Sequence, residues 1–146
     1  MRIGTWNVEY AAVEAKNRSR LQRLVQANAD LWVLTEIHDR LDLGPGYKAV
    51  STPASRRGGG RWVTIWSRLP VGEVLATVDP DRTVAVIIGA PTGPLIVYGT
   101  VMPWHSDPGP TGTARNWTEH YRVIPEQGAE WRRLLEGHPG VPLCVA

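Results

Sequence analysis

The chain has 146 residues, of which 42% are hydrophobic and 21% are charged, so it is long enough for one globular domain and its composition excludes global disorder. Sixteen basic and 14 acidic residues give a formal net charge of +2, which is too small to indicate a polyanionic partner by itself. The single cysteine, Cys144, excludes an intramolecular disulfide, and we expect a reducing, cytoplasmic compartment. No apolar run approaches the length of a membrane span.

The first 36 residues predict two parallel strands joined by a helix. Residues 2–9 are rich in β-forming side chains, and residues 30–36 are mostly apolar. Between them, residues 18–29 carry apolar side chains near helical spacing, and Asn17 is a candidate N-cap. A strand, a helix and a strand in this order are the pattern of a βαβ unit.

The rest of the chain predicts antiparallel strands, a loop, a helix and a last strand. The five predicted strands, separated by turn residues, cover residues 47–52, 62–67, 71–78, 83–89 and 95–101. A polar loop over residues 104–116 precedes a helix over residues 117–136, which we expect Pro125 to bend or split. Residues 141–146 predict a buried strand. The whole pattern predicts an α/β fold (α+β by some schemes), and the apolar last strand suggests that the domain interior continues beyond Ala146.

Two oxygen-bearing side chains stand at the ends of the first two predicted strands. Asn7 ends the first strand and Glu36 ends the second, and parallel strands bring such ends to one edge of the sheet. An amide and a carboxylate are hard ligands that suit Mg²⁺ or Mn²⁺ better than zinc. The alternative is that Asn7 makes a turn and Glu36 lies at a solvated strand end. On the evidence of spacing alone, this alternative is favoured.

The same segments carry a family resemblance. Trp6-Asn7 in the first strand and Thr35-Glu36 at the end of the second resemble the opening of the endonuclease/exonuclease/phosphatase superfamily, which has the DNase I-like fold. In that family the second strand ends in Gln-Glu, so Thr35 stands where Gln is usual. Three later segments resemble, in turn, the family's Ser-Arg strand, the strand before its active-site loop and the strand before its Gly-Asp-x-Asn motif. They are residues 65–68, 95–103 and 142–146.

The resemblance implies a sandwich of two mixed sheets flanked by helices, of which residues 1–146 would supply roughly the first half. It also implies hydrolysis of a phosphoester that depends on Mg²⁺ or Mn²⁺, as in a nuclease or a phosphatase. The Gly-Asp-x-Asn motif is absent, so we expect this chain alone to lack the full catalytic machinery and to be inactive or nearly so. The substrate stays open among DNA, RNA, an inositol phosphate, a phospholipid head group and other phosphoesters.

The resemblance assigns roles to individual residues. Glu36 matches the family's metal-binding glutamate, and Asn7 matches the asparagine that positions the metal and the phosphate. Glu9 stands where some members place a further acidic residue near the metal, with an exposed acid at the end of the strand as the alternative. The Tyr or His that many members direct at the phosphate has no match in the expected register, and His105 is the candidate catalytic residue that replaces it, with a surface loop histidine as the alternative.

Arginines and glycines form a basic turn between the third and fourth predicted strands. Arg56, Arg57 and Arg61 surround Gly58-Gly59-Gly60 and are candidates for binding the substrate's phosphate backbone. A solvated hairpin tip is the commoner reason for such a turn. Two other functions therefore stay open. One is a non-catalytic nucleic-acid-binding module that uses this turn and exposed tryptophans. The other is a structural half-domain that needs its complement as a partner.

Overall fold

The computed structural model describes residues 1–56 and 58–146. The strands of this part of the chain are β1 (Ile3–Asn7), β2 (Leu31–His38), β3 (Lys48–Ser51), β4 (Ala54–Arg56), β5 (Gly60–Ser67), β6 (Val71–Leu75), β7 (Thr83–Ala90), β8 (Gly93–Thr100) and β9 (Leu143–Val145). The helices are α1 (Glu14–Ala27) and α2 (Thr118–Gly137). Neither helix is both long and apolar enough to span a membrane.

The strands form two mixed sheets. The first has the order β1-β2-β5-β3, with β4 also paired to β5, and β1 runs parallel to β2 while the other pairs are antiparallel. The second has the order β6-β7-β8-β9, and β9 runs parallel to β8. The predicted α/β architecture of two mixed sheets with helices is confirmed.

Three apolar clusters hold these elements in four layers. The inner faces of the two sheets meet in a core that includes Val33, Val63, Val86 and Val97. The outer face of the first sheet packs on α1 through residues such as Leu34, and Leu134 of α2 covers the outer face of the second sheet. The order of layers is therefore helix, sheet, sheet, helix, which covers one stripe of each helix and both faces of each sheet.

The helices differ from their predicted bounds. α1 begins at Glu14, and Val13 occupies the N-cap position without a side-chain hydrogen bond, so the predicted cap at Asn17 is wrong. Asn17 is buried inside the helix, where its side-chain amide donates to the carbonyl of Ala11 at 2.7 Å. In α2 the helix runs through Pro125 without a break, so the predicted split does not occur.

Candidate active site

Adjacent parallel strands bring Asn7 and Glu36 to one edge of the first sheet. The register pairs Asn7 with Thr35, so Glu36 is the next residue along β2. The ladder continues past the end of β1, since the amide of Val8 donates to the carbonyl of Thr35 at 3.0 Å. Asn7 is exposed and Glu36 is half-buried. We refer to this place as the Asn7–Glu36 edge.

The backbone of β2 is irregular at Glu36. Leu34 and Ile37 both pack in the cluster on the α1 side, whereas regular alternation would place residues three apart on opposite faces. The alternation therefore shifts by one residue between them. Glu36 has a φ of 51°, in the left-handed region that disfavours any side chain with a Cβ. Such strained positions cluster at functional sites, where surrounding contacts hold them.

Two loops reach this edge through Trp62. The pairs Thr35–Val63 and Ile37–Arg61 bracket Glu36, so Trp62 of β5 lies across from it. The Trp62 ring lies 5.6 Å from the ring of Tyr10 and 5.7 Å from that of Trp104, measured between centroids. The loop after β1 and the loop after β8 thus border the same edge. Sequence patterns alone miss Trp62, since its place depends on a long-range strand register.

A buried ion pair tethers the loop between β8 and α2. The guanidinium of Arg82 lies 2.9 Å from Oδ2 and 3.0 Å from Oδ1 of Asp107, whose side chain is completely buried. The amide of Gly109 also donates to Asp107 Oδ1, at 2.9 Å. At the start of the loop, the amide of Val101 donates to the carbonyl of Arg82 at 3.1 Å. The first half of the loop is therefore held against the start of β7.

The side chain of Asn7 already has one partner, because its Oδ1 accepts a hydrogen bond from the amide of Glu9 at 3.0 Å. This is the turn that spacing alone favoured. An amide oxygen has a second lone pair, so the turn and a further ligand are compatible. Glu9 itself is exposed, with a φ of 50°.

The donor set at this edge fits a small hard cation. Within residues 1–56 and 58–146, no group of three or more His, Cys, Asp or Glu side chains is arranged to hold a metal ion. Mg²⁺ needs fewer protein ligands than that, since it keeps several waters and takes one or two carboxylates together with substrate phosphates. The Glu36 carboxylate and the Asn7 amide oxygen suit this mode of binding. The roles of Asn7, Glu9 and Glu36 stay predictions.

His105 lies in the tethered loop, beside Trp104. It is exposed, its Nδ1 lies 3.1 Å from the hydroxyl of Ser106, and its ring packs 5.6 Å from that of Trp117. His105 directly follows Trp104, whose ring packs on that of Trp62, so His105 lies close to the Trp62 end of the edge. Its catalytic role stays a prediction.

Of the three predicted substrate-binding arginines, Arg61 is the one whose side-chain contacts the structure describes. Arg61 is engaged elsewhere: its Nε lies 2.6 Å from Asp39 Oδ1, and it also donates to the carbonyl of Thr52 at 2.9 Å. Arg56 belongs to β4, and Arg57 lies outside the described residues. Substrate binding by these arginines stays a prediction, although the contacts of Arg61 give it a structural role.

Searches against family models and curated proteins found no match for this chain. Solved structures, in contrast, superpose over nearly all of it. The catalytic domain of human Nocturnin, with a bound sulfate, has a TM-score of 0.70 at 14% identity and is matched over 99% of this chain and 62% of that one. The humanized TDP2 of D. rerio has a TM-score of 0.69 at 12% identity, over 99% and 60%.

A third match is the 3′ phosphatase NExo from Neisseria, bound to its product DNA hairpin, with a TM-score of 0.66 at 19% identity over 99% of this chain and 56% of that one. The chain has the DNase I-like fold. All three neighbours are members of the endonuclease/exonuclease/phosphatase superfamily, so the resemblance seen in the sequence is confirmed for the fold. The chain spans 56–62% of the length of these structures.

Proposed function

We propose that the Asn7–Glu36 edge is the site of a phosphoester hydrolase that depends on Mg²⁺ or Mn²⁺. The observation that carries the proposal is the position of Glu36, which follows the residue paired with Asn7 and adopts a left-handed backbone conformation. A carboxylate on a strained backbone position, at a sheet edge that it shares with an amide and that two loops border, is typical of a functional site. The fold neighbours support the reaction class, since one of them is a 3′ phosphatase bound to product DNA.

The predicted metal-binding residues and the predicted catalytic histidine each have a part in this proposal. Glu36 and Asn7 would hold the ion, with Glu9 as a further oxygen donor nearby. When bound, a divalent ion polarises the phosphoryl oxygens and stabilises the leaving oxygen. The side-chain amide nitrogen of Asn7 would donate a hydrogen bond to a phosphate oxygen, and the imidazole of His105 would do the same from the opposite loop.

We expect hydrolysis by this chain alone to be slow. The Gly-Asp-x-Asn motif, whose acid the resemblance gives the role of activating the attacking water, does not occur in residues 1–146. Electrostatic stabilisation without such a base retains only part of an enzyme's rate enhancement. Metal binding is therefore the sharper test of the site, and hydrolysis is the second readout.

The test compares Glu36→Gln with Glu73→Gln, which changes an exposed glutamate of β6 in the other sheet. At a metal concentration about ten times the Kd, binding stabilises the fold by about 1.4 kcal/mol. With an unfolding entropy of about 2.1 cal/mol/K per residue, this raises the Tm by about 4–5 °C. We expect this Mn²⁺ shift in the wild type and in Glu73→Gln, and its loss in Glu36→Gln. Equal shifts in all three proteins would contradict the proposal.

Hydrolysis of bis(p-nitrophenyl) phosphate gives the second readout. Any turnover is expected to stop on addition of EDTA and to fall at least about a hundredfold in Glu36→Gln, which is the scale for losing a key electrostatic contact. Glu73→Gln is the control for nonspecific effects of removing one negative charge. A rate that neither EDTA nor Glu36→Gln changes would rule out the assignment.

A further inference from the structure

The two exposed tryptophans of this chain lie in the same loop. The chain has seven tryptophans, and Trp104 and Trp117 are each 43% exposed, while the other five are buried or half-buried. Both exposed residues belong to the loop between β8 and α2, which borders the Asn7–Glu36 edge. Single exposed apolar residues are common on protein surfaces, but two large aromatic side chains beside a candidate site call for a functional reason.

These tryptophans are part of a row of rings that leads away from the edge. Next to Trp104 on the chain, the ring of His105 lies 5.6 Å from that of Trp117. The Trp117 ring lies 5.2 Å from that of His120, which in turn lies 5.9 Å from the ring of Tyr121. We name these five residues the aromatic row. Its inner end is Trp104, which packs on the tryptophan across from Glu36.

Backbone contacts hold the aromatic row in place. The amide of Trp117 donates to the carbonyl of His105 at 3.1 Å, and Nδ1 of His120 lies 2.9 Å from the carbonyl of Pro103. Asn116 and Trp117 have φ values of 53° and 66°, so two consecutive residues adopt a left-handed conformation. Strain of this kind persists only where surrounding contacts enforce it. The backbone that carries these rings is therefore held in place by the fold.

The four charged residues described beside the row, two glutamates and two arginines, carry no net charge that would repel a polyanion. Glu119, in the first turn of α2, is buried and pairs with Arg122 at 2.8 Å, and Arg122 also pairs with Glu126 at 2.7 Å. The single guanidinium of Arg122 therefore balances one of these two carboxylates, and this group keeps one net negative charge. Arg115 precedes Trp117 in the loop, is exposed and donates to the carbonyl of Ala114 next to it on the chain. Its positive charge faces solvent beside the row.

We propose that the aromatic row binds the unpaired bases of a single-stranded nucleic acid, whose phosphate then lies at the Asn7–Glu36 edge. Aromatic side chains stack on bases of any identity, and each such contact contributes roughly fivefold to 150-fold in affinity. A base in a duplex has both faces covered, so the exposed rings select single strands. The placement of the phosphate depends on the proposed function, whereas the stacking of bases does not.

The test measures binding in EDTA, where metal-dependent hydrolysis is absent. The probe is a fluorescent oligothymidylate of about 12 nucleotides, within the usual site size for single-strand binders. Its comparator is an abasic tetrahydrofuran strand of the same length, which keeps the phosphates and lacks the bases. We expect oligothymidylate to bind at least about fivefold more tightly than the abasic strand. Equal affinity for the two strands would overturn the proposal and point to a different class of partner for the row.

Matched variants separate stacking from simple apolar contact. Trp104→Leu and Trp117→Leu remove the aromatic face and are each expected to lower the affinity for oligothymidylate about fivefold or more, with no change for the abasic strand. Trp104→Phe and Trp117→Phe keep an aromatic face and are expected to retain most of the affinity. Val25→Ala, at a residue of α1 that is 65% exposed, is the control for unrelated surface changes. Leu and Phe variants that bind alike would overturn the proposal.

Thermal melts of each variant verify that it is folded. If a Leu variant does not fold, the Phe variant at the same residue still tests the site. The outcome is independent of the proposed function. Metal-dependent hydrolysis of bis(p-nitrophenyl) phosphate without a preference for bases would leave the hydrolase standing and remove the aromatic row as a base-binding site. A preference for bases that Trp104→Leu abolishes, without any metal-dependent hydrolysis, would support the aromatic row as a base-binding site and contradict the proposed hydrolase.

Discussion

The left-handed backbone of Glu36 allows the strain at the candidate site to be measured directly. Glu36→Ala removes the carboxylate and keeps the Cβ, whereas Glu36→Gly removes both. The difference in stability between the two variants therefore reports the strain at a φ of 51°, apart from any loss of carboxylate contacts. We expect the glycine variant to be the more stable of the two.

The expected magnitude follows from two opposing terms. A left-handed conformation costs a residue with a Cβ about 1–2 kcal/mol. Glycine in a strand is ordinarily less stable than alanine by about 0.5–1 kcal/mol, because its unfolded chain has more freedom to lose. The strain term is the larger, so Glu36→Gly should exceed Glu36→Ala in free energy of unfolding by about 0.5–1 kcal/mol. At Lys48, an exposed residue of β3, the ordinary order is expected, in which Lys48→Gly has a lower free energy of unfolding than Lys48→Ala.

Urea unfolding of the four variants measures these differences through their midpoints at constant slope. The Mn²⁺-induced rise in Tm should be absent in both Glu36 variants, so relief of the backbone strain in the glycine variant would not restore metal binding. That combination is the expected signature of a residue kept for function against its own backbone preference. If Glu36→Gly proved less stable than Glu36→Ala by the margin seen at Lys48, the strain argument would be refuted.

Two further predictions concern the buried polar contacts of the second sheet. Arg82→Met should lower the free energy of unfolding by about 3–5 kcal/mol, since it leaves the buried Asp107 carboxylate without its partner; an unchanged urea midpoint would contradict this. Tyr98→Phe should cost about 1.5–3 kcal/mol, because the Tyr98 hydroxyl donates to the buried carboxylate of Glu130. Burial and that hydrogen bond raise the pKa of Tyr98 above 10, so its contribution is complete below pH 10 and is lost as the pH rises through its folded-state pKa. The difference in urea unfolding midpoint between the wild type and Tyr98→Phe should therefore narrow above pH 10. A constant difference would refute the assigned hydrogen bond between Tyr98 and Glu130.

The βαβ unit could be predicted from sequence because its physics is local. Two β-rich segments flank a helical one, and a short connection of this kind leaves parallel pairing as the natural outcome. The shared edge of Asn7 and Glu36 follows from that pairing without any knowledge of the rest of the fold. The structure gives this adjacency through the pairing of Asn7 with Thr35.

The partition of the later strands between two sheets could not be predicted in the same way. The sequence pattern predicts one run of antiparallel strands, but β5 pairs with β2 and β3, whereas β6 to β8 form the other sheet with β9. One continuous sheet and two separate sheets satisfy the same alternation of apolar residues, and the choice between them depends on contacts between distant segments. Trp62 takes its place across from Glu36 only through this long-range pairing.

Side chains with distant partners escaped sequence reasoning for a similar reason. Arg61 has the sequence context of a solvated hairpin tip, yet Asp39, 22 residues away, binds its guanidinium through two hydrogen bonds. Asn17 has the residue type of an N-cap, yet its side chain bonds to the loop before the helix. In each case a tertiary contact overrides a local preference, and no local pattern encodes the partner.

Backbone strain shows where such overrides concentrate. The non-glycine residues with positive φ in the described chain are Glu9, Tyr10, Asn28, Glu36, Asn116 and Trp117. Asn28 is the C-cap of α1, where a left-handed conformation is ordinary. The other five lie at the Asn7–Glu36 edge, in the loop that borders it, or in and next to the aromatic row. Asn116 tolerates this conformation better than most residues, but local preference opposes the other four. The contacts of the fold must hold those four, and a site selected for chemistry rather than stability is the place where that opposition is expected.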